Sequence, residues 1–156
     1  LFFVITSNLY SQIPERNINL IPKPKSIVIN DGSFIIKQGT IIHYEKNTEN
    51  IANYLVQKLK PTIGYEFIIE EWNGSVKENS IILSLSDKNN DLGTEGYPLV
   101  VNSKNVMIEA AQLNGLFYAV QTVRQLLPTE IESGQRVYNI DWRIPAVVIY
   151  DKPEFS

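Results

Sequence analysis

Short apolar runs make up most of this chain, and only two stretches carry the spacing of an amphipathic helix. The clearer one covers Leu116–Leu127, where apolar side chains recur at helical intervals until Pro128 stops the run. The other covers Ile51–Leu59 and is predicted to end at Pro61. The remaining apolar runs are short and typical of strands. The pattern therefore predicts an α+β fold with two helices packed on one face of a sheet.

The strand-like runs predict about seven strands in a largely antiparallel or mixed sheet. Hairpin turns are expected at Asn30-Asp31-Gly32 and at Asn102-Ser103-Lys104-Asn105, because these residue types favour tight turns. The run Ile81–Leu85 alternates in polarity, which predicts one apolar and one mixed face. The predicted strand segments are, in chain order, residues 27–29, 34–36, 41–44, 65–70, 81–85, 97–101, 106–110 and 146–150.

Composition excludes several classes of function. The absence of Cys removes disulfides, thiol catalysis and Cys-type zinc sites, and a single His leaves no His pair for a metal. The net charge of −3, with no cluster of Lys or Arg, disfavours a nucleic-acid partner or a polybasic membrane surface. The 156 residues are enough for about one domain but not for a (β/α)8 barrel of about 250 residues. We expect no cofactor.

The beginning of the chain differs in character from the rest. The apolar run Leu1–Ile5 is followed by small and polar residues, which is typical of the end of a secretory signal peptide. Its five residues are too few to span a membrane, which takes about 20. Residues 1–12 are therefore predicted to be a signal-peptide remnant, with an ordinary N-terminal strand as the alternative. Export predicts a periplasmic, cell-surface or secreted protein.

The candidate catalytic side chains favour structural roles. His43 lies in a strand-like run with neither a nucleophile nor an orienting carboxylate nearby in sequence, so a structural or exposed role is expected. The adjacent Glu70 and Glu71 would point to opposite faces of a strand and are predicted to be surface residues. Ser84 and Ser86 lack the Gly-x-Ser-x-Gly context of a nucleophile elbow. No catalytic residue is predicted.

Binding residues are equally weakly indicated. Asp87, Asp91 and Glu95 could offer oxygen ligands to Ca²⁺, but the ligand spacing of an EF-hand is missing, and a solvated loop is expected. Trp72 and Trp142 could stack on sugar rings, although such residues more often belong to a core or an interface. No metal site is predicted.

Three sequence blocks become informative when they are taken together and in order. They are Ile21-Pro22-Lys23-Pro24-Lys25-Ser26 with Asp31-Gly32-Ser33-Phe34, then Glu95-Gly96-Tyr97 with residues 106–111 and the helical run 115–128, and finally residues 144–155 with the closing Asp151-x-Pro153-x-Phe155. In this order they resemble the N-terminal, non-catalytic domain of family 20 glycoside hydrolases, the β-N-acetylhexosaminidases. The resemblance covers Ile18–Ser156, with Glu154 standing where the family usually has Arg.

This resemblance implies that residues 13–151 form an α+β domain beside a catalytic (β/α)8 barrel, and that residues 152–156 begin the linker to it. The family's substrate-binding Arg and catalytic Asp-Glu pair belong to that barrel, and this chain contains no Asp-Glu dipeptide. The polar side of the second helix, formed by Gln121, Arg124 and Gln125, is either solvated or a candidate interface with the barrel. Without the barrel, we expect an unusually large exposed apolar patch.

The function implied by the resemblance is to support a barrel that removes terminal N-acetylhexosamine from glycans by a substrate-assisted, retaining mechanism. The chain alone is predicted to be inactive and to meet a glycan only through the parent enzyme. Two alternatives stay open. One is a stand-alone module that binds glycans or proteins, and the other is the N-terminal domain of a family 84 O-GlcNAc hydrolase.

Overall fold

The structure is a computed structural model that describes residues 18–152. The predicted signal-peptide remnant and the predicted linker beyond Lys152 lie outside the described residues. Within this range the chain forms a seven-stranded sheet in the order β1-β7-β5-β6-β4-β2-β3. The strands are β1 Ser26–Ile35, β2 Ile41–Tyr44, β3 Ile68–Glu71, β4 Ser80–Leu85, β5 Tyr97–Val101, β6 Asn105–Ala110 and β7 Arg143–Asp151.

The sheet is divided between two modes of pairing. β1, β7, β5 and β6 pair antiparallel. The pairs β6–β4, β4–β2 and β2–β3 are parallel. The prediction of a mixed sheet of about seven strands with two main helices is confirmed, and antiparallel pairs account for three of the six pairings.

One of the two predicted hairpins is present and the other is wrong. At the β5–β6 turn, Asn102 Oδ1 accepts hydrogen bonds from the backbone N–H groups of Lys104 and Asn105, at 2.8 and 3.0 Å. At Asn30-Asp31-Gly32 no hairpin forms, because β1 continues through these residues and both of its halves pair with the long strand β7. The turn-forming residues instead produce a register shift between Ile29 and Ser33.

The first helix, α1 (Glu49–Ile63), extends past the predicted stop at Pro61. Because Pro61 lies in the last turn, its missing N–H removes only one late helical hydrogen bond. The helix ends at Gly64, whose left-handed conformation (φ 71°) lets its N–H bond the Lys60 carbonyl at 2.8 Å. The terminator is therefore the glycine rather than the proline.

The second helix, α2 (Leu113–Leu126), matches the prediction, and Pro128 follows directly after its C-cap. In the described range, neither helix has the length and apolar character needed to cross a membrane. Two 3-10 helices complete the structure, at Asp87–Leu92 and Thr129–Ser133.

The hydrophobic core lies between the helices and one face of the sheet. Leu55 and Leu59 of α1 and Leu116 and Val120 of α2 are fully buried in it. The strand residues that face these helices include Ile42, Ile81, Leu83, Leu99, Val106, Ile108 and Ile149. On the opposite face, side chains such as Val28 and Val148 are 56% and 40% exposed, so both helices lie on the same side. The predicted mixed face of β4 is nevertheless buried, since Ile82 is fully inaccessible.

Candidate functional site

The polar side of α2 carries an organised network around Arg124. Its guanidinium donates to both carboxylate oxygens of Glu132, at 2.8 and 2.6 Å, and to Gln121 Oε1 at 2.8 Å. Gln121 in turn donates to the Tyr54 hydroxyl of α1 at 3.1 Å. The side chain of Arg124 is only 16% exposed. This network connects α1, α2 and the second 3-10 helix, so Gln121 and Arg124 already have partners within the domain.

Gln125 makes a different contact, with the segment that precedes the sheet. Its side-chain amide donates to the Ile21 carbonyl at 3.0 Å and its Oε1 accepts from the Ile21 N–H at 2.9 Å. These paired bonds mimic a strand ladder and hold the segment against α2, with Leu20 buried beneath it. The side chain of Ile21 is left 81% exposed.

An exposed apolar cluster lies beside this network, on the outer side of both helices. We call it the aromatic patch: Tyr54, Leu113, Phe117 and Tyr118. Leu113, Phe117 and Tyr118 are 44%, 40% and 45% exposed, and the Phe117 ring lies 5.1 Å from the ring of Tyr54. Phe117 lies one turn before Gln121 on the same helix face, so the patch adjoins the polar network.

The sequence interpretation named the polar neighbours of this patch and missed its apolar members. The sequence feature that could have indicated these members is the pair Phe117-Tyr118. Both residues lie outside the helical stripe of buried residues that includes Leu116, Ala119 and Val120. An amphipathic helix normally places polar residues at such outer positions. Two adjacent aromatic side chains there therefore indicate a surface that another element covers.

The described chain ends near the first turn of α2. β7 finishes at Asp151, whose carbonyl would lie 2.8 Å from a Cβ placed on Gly96. A Cβ on Gly115, in the first turn of α2, would lie 2.5 Å from the Gly96 carbonyl. The C-terminal end of β7 thus adjoins the first turn of α2, the helix that carries Phe117 and Tyr118.

The acidic segment is more ordered than the expected solvated loop. Residues Asp87–Leu92 form a 3-10 helix, and Asp91 accepts a hydrogen bond from the Tyr150 hydroxyl at 3.3 Å. Asp87, Asp91 and Glu95 all remain exposed, as predicted for a solvated segment. Among residues 18–152, no three His, Asp or Glu side chains are arranged to hold a metal ion.

The remaining candidates are dispersed over the fold. Trp142 is 2% exposed and lies in the core, so it offers no face for a sugar ring. Trp72 is half-buried, and its indole N–H donates to the Ser75 carbonyl at 2.9 Å. Ser84 is buried in β4. His43 is buried, so of the two roles expected for it, structural or exposed, the exposed one is excluded.

Glu70 and Glu71 take different environments on β3. Glu70 is half-buried at the surface and paired with Lys77 at 2.8 Å, a partner that the local sequence does not indicate. Glu71 is exposed beside Tyr44, and burial together with Glu49 and Glu71 raises the pKa of the Tyr44 hydroxyl. The two carboxylates do not form a catalytic pair.

Taken together, these features define the class of the chain: an α+β accessory domain with an exposed aromatic patch on its helical layer. The family model for glycosyl hydrolase family 20, domain 2, matches residues 17–152. The chain therefore belongs to this family, as the non-catalytic domain 2 of its hydrolases.

Individual relatives agree with this assignment. The chain is 34% identical over 148 residues to a β-hexosaminidase of Porphyromonas gingivalis, covering 93% of this chain and 19% of that protein. The family 20 β-N-acetylhexosaminidase of Streptomyces coelicolor A3(2) superposes with a TM-score of 0.77 at 30% identity, over 86% of this chain and 26% of that one. The chain thus spans about a fifth to a quarter of the length of these relatives.

A more distant structure shares the fold. The β-N-acetylhexosaminidase of Bacteroides fragilis superposes with a TM-score of 0.63 at 24% identity, covering 86% of this chain and 25% of that one.

Proposed function

We propose that this domain scaffolds the catalytic (β/α)8 barrel of a β-N-acetylhexosaminidase, which docks on the aromatic patch. The observation that carries the proposal is that the patch lies on α2, whose first turn adjoins the end of β7 through Gly96 and Gly115. A polypeptide that continues from Lys152 leaves the sheet near the first turn of the helix that carries the patch. Family membership supplies the kind of domain expected to follow.

Aromatic burial provides the docking energy in this proposal. A fully buried side chain of this size contributes about 1.5–3 kcal/mol, so covering the exposed 40% of Phe117 and 45% of Tyr118 is worth about 1–2 kcal/mol before the cost of ordering. The polar network forms the rim of the interface. Gln121, Arg124 and Gln125 are held in place by their contacts within the domain, which lowers the entropic cost of presenting them to the barrel.

The activity assigned to the parent enzyme is hydrolysis of terminal N-acetylhexosamine from glycans. The names of the relatives support it, since both the Porphyromonas and the Streptomyces proteins are described as hexosaminidases. The mechanism proposed is substrate-assisted and retaining, in which the sugar's own N-acetyl group attacks its anomeric carbon. The acid/base and acetamide-orienting carboxylates belong to the barrel, and the domain described here contributes stability rather than chemistry.

Comparing this chain with its longer reading frame tests the proposal. The 156-residue chain should show no turnover of a chromogenic N-acetylglucosaminide, whereas the protein encoded through the downstream frame should cleave it with retention at the anomeric carbon. Titration with N-acetylglucosamine oligomers serves as a control for direct binding. Turnover by the pure short chain, or a reading frame that encodes no barrel, would refute the proposal.

The proposal includes export of the parent enzyme, supported by the apolar run Leu1–Ile5 and the small polar residues after it. N-terminal sequencing of the protein recovered from its native cells distinguishes the outcomes. A mature chain that begins near residue 12 in the periplasm, at the cell surface or in the medium is expected. Retention of Leu1–Ile5 on a cytoplasmic protein would contradict export.

A further inference from the structure

His43 is the single histidine of the sequence, and it is buried in the sheet far from the aromatic patch. It is 1% exposed, and its Nδ1 lies 3.5 Å from Glu70 Oε1 on the neighbouring strand β3. The same carboxylate oxygen accepts a hydrogen bond from Lys77 Nζ at 2.8 Å. Within the described residues, neither ring nitrogen of His43 has a hydrogen-bond partner. A buried, unpartnered titratable group is costly and invites a functional explanation.

The topology places one connection across the strand that carries this histidine. β3 and β4 both run parallel to β2 and flank it on opposite sides, so the connection through residues 72–79 must pass across β2. Ile42 and Ile69 face the helices, which places His43 and Glu70 on the opposite face. Because Lys77 reaches Glu70, the connection crosses on that opposite face. We call residues 72–79 the crossover.

Two charged groups face His43: Glu70 from β3 and Lys77 from the crossover. β4 presents the apolar Ile82 as its register partner. Protonation would place an imidazolium against the carboxylate that binds Lys77, in a site with little access to water. The imidazolium and the Lys77 ammonium would then compete for Glu70 Oε1, and their mutual repulsion would favour release of the more exposed lysine.

We propose that His43 is an acid-responsive latch. When His43 is protonated, Glu70 pairs with the imidazolium instead of with Lys77, and the crossover loosens from the sheet. The neutral ring permits the closed arrangement, in which Lys77 is bound to Glu70. Trp72 is the built-in reporter, because its indole N–H bonds Ser75 inside the crossover and its backbone N–H bonds the Tyr44 carbonyl at 2.8 Å. The inference concerns the domain itself and does not depend on the proposed barrel.

The composition of the chain makes a direct titration feasible. With one His and two Trp residues, NMR can follow the imidazole of His43 and the indole N–H of Trp72 without crowding. Burial, with a smaller contribution from Lys77, lowers the pKa of His43 from its ordinary 6.5, while Glu70 raises it. We expect the His43 and Trp72 signals to shift together, with a common midpoint below pH 6.5.

Substitutions separate the latch from a merely buried histidine. Lys77→Met removes the competing ammonium and should move the His43 midpoint upward, whereas Lys60→Met, which breaks an exposed pair with Glu66 outside the crossover, should leave it in place. His43→Gln should abolish the acid shift of Trp72. If that variant fails to fold, Glu70→Gln gives the second test, since it should lower the midpoint.

A Trp72 signal that stays constant while His43 titrates would overturn the proposal. So would an unchanged acid shift of Trp72 in His43→Gln, or a His43 midpoint insensitive to both Lys77→Met and Glu70→Gln.

Discussion

At the scale of single residues, two of the three glycines in the recognised blocks, Gly96 and Gly115, have a common steric explanation. Gly96 and Gly115 allow the strand β5 and the first turn of α2 to approach backbone to backbone, and the Gly115 N–H donates to the Thr94 carbonyl at 3.1 Å. A Cβ on Gly115 would lie 2.5 Å from the Gly96 carbonyl oxygen and 2.8 Å from Ala110 Cβ. Gly115 is therefore required by packing, since its backbone does not adopt a positive φ.

Gly115→Ala should destabilise the domain by about 1–3 kcal/mol, because the added methyl group overpacks a backbone contact. The sign of the stability change tests the steric explanation, because Gly→Ala at an unhindered helix position stabilises a protein by up to about 1 kcal/mol through helix propensity. Denaturant unfolding measures the change. Asn114→Ala, at the exposed neighbouring position, is the matched control and should be nearly neutral. A stabilised Gly115→Ala variant would contradict the steric explanation.

Tyr97 makes the domain sensitive to alkali. Burial raises the pKa of its hydroxyl to about 12 from the ordinary 10.0, against the opposing effect of its hydrogen bond with Thr122. Between pH 10 and 12 the unfolded chain loses this proton while the folded chain keeps it, so stability falls as pH rises through this window. At about 1.4 kcal/mol per pKa unit, the loss reaches about 2–3 kcal/mol.

Urea unfolding at pH 8, 10 and 11 checks this expectation. Tyr97→Phe removes the ionisable hydroxyl and should flatten the alkaline decline, while Thr122 keeps its bond to the Tyr118 carbonyl. Tyr138→Phe, at a position 69% exposed, serves as the control and should follow the original profile. Equal alkaline slopes in the original chain and in Tyr97→Phe would contradict the assignment.

At the scale of elements, α2 organises the helical layer. Its inner side packs on β4, β5, β6 and β7, and its outer side is bonded to α1, to the Thr129–Ser133 helix and to the segment at Ile21. The ion pair with Glu132 differs from the surface pairs of this protein because Arg124 is mostly buried. Its Nη2 donates to both Glu132 oxygens, and a charge-assisted contact to a mostly buried donor is stronger than an exposed pair.

A double-mutant cycle on Arg124→Met and Glu132→Gln should give a coupling energy of about 1–3 kcal/mol. The same cycle on Lys104→Met and Glu78→Gln, whose side chains are 67% and 73% exposed, should give less than about 1 kcal/mol. Both cycles are measured by denaturant unfolding. Equal couplings for the two pairs would show that burial of Arg124 adds nothing to the contact.

At the scale of the whole molecule, the aromatic patch distinguishes a free domain from a docked one. In the isolated chain, Phe117→Ser with Tyr118→Ser should lower the free energy of unfolding by about 2–3 kcal/mol, because both side chains are more than half buried and Phe117 packs on Tyr54. In the longer protein, the same pair should cost about 1–2 kcal/mol more, because the barrel covers the parts that the isolated domain leaves exposed.

Calorimetry of both proteins makes the comparison, and heat inactivation of the longer one gives an independent readout. Tyr138→Ser is the control, because Tyr138 is 69% exposed and lies outside the patch. Equal effects of the patch variant in the short and long proteins would show that the barrel does not dock there.

Much of this molecule is predictable from its sequence, because the relevant information is local. The spacing from Leu116 to Leu127 and the stop at Pro128 specify α2, and the side chain of Asn102 closes the β5–β6 turn. The ordered blocks, including the glycines whose packing role the structure explains, were sufficient to indicate the family. Local periodicity and turn chemistry depend only on neighbours in sequence.

Tertiary structure alone decided the features that depend on distant partners. β7 pairs with both halves of β1, which converts an expected hairpin into one strand with a register shift. The crossover brings Lys77 to Glu70 beside His43, although nothing in the local sequence places these residues together. The aromatic patch likewise requires Tyr54 of α1 to meet Phe117 of α2. Pairing and burial are set by which elements meet in space, and that choice is made by the packing of the whole chain.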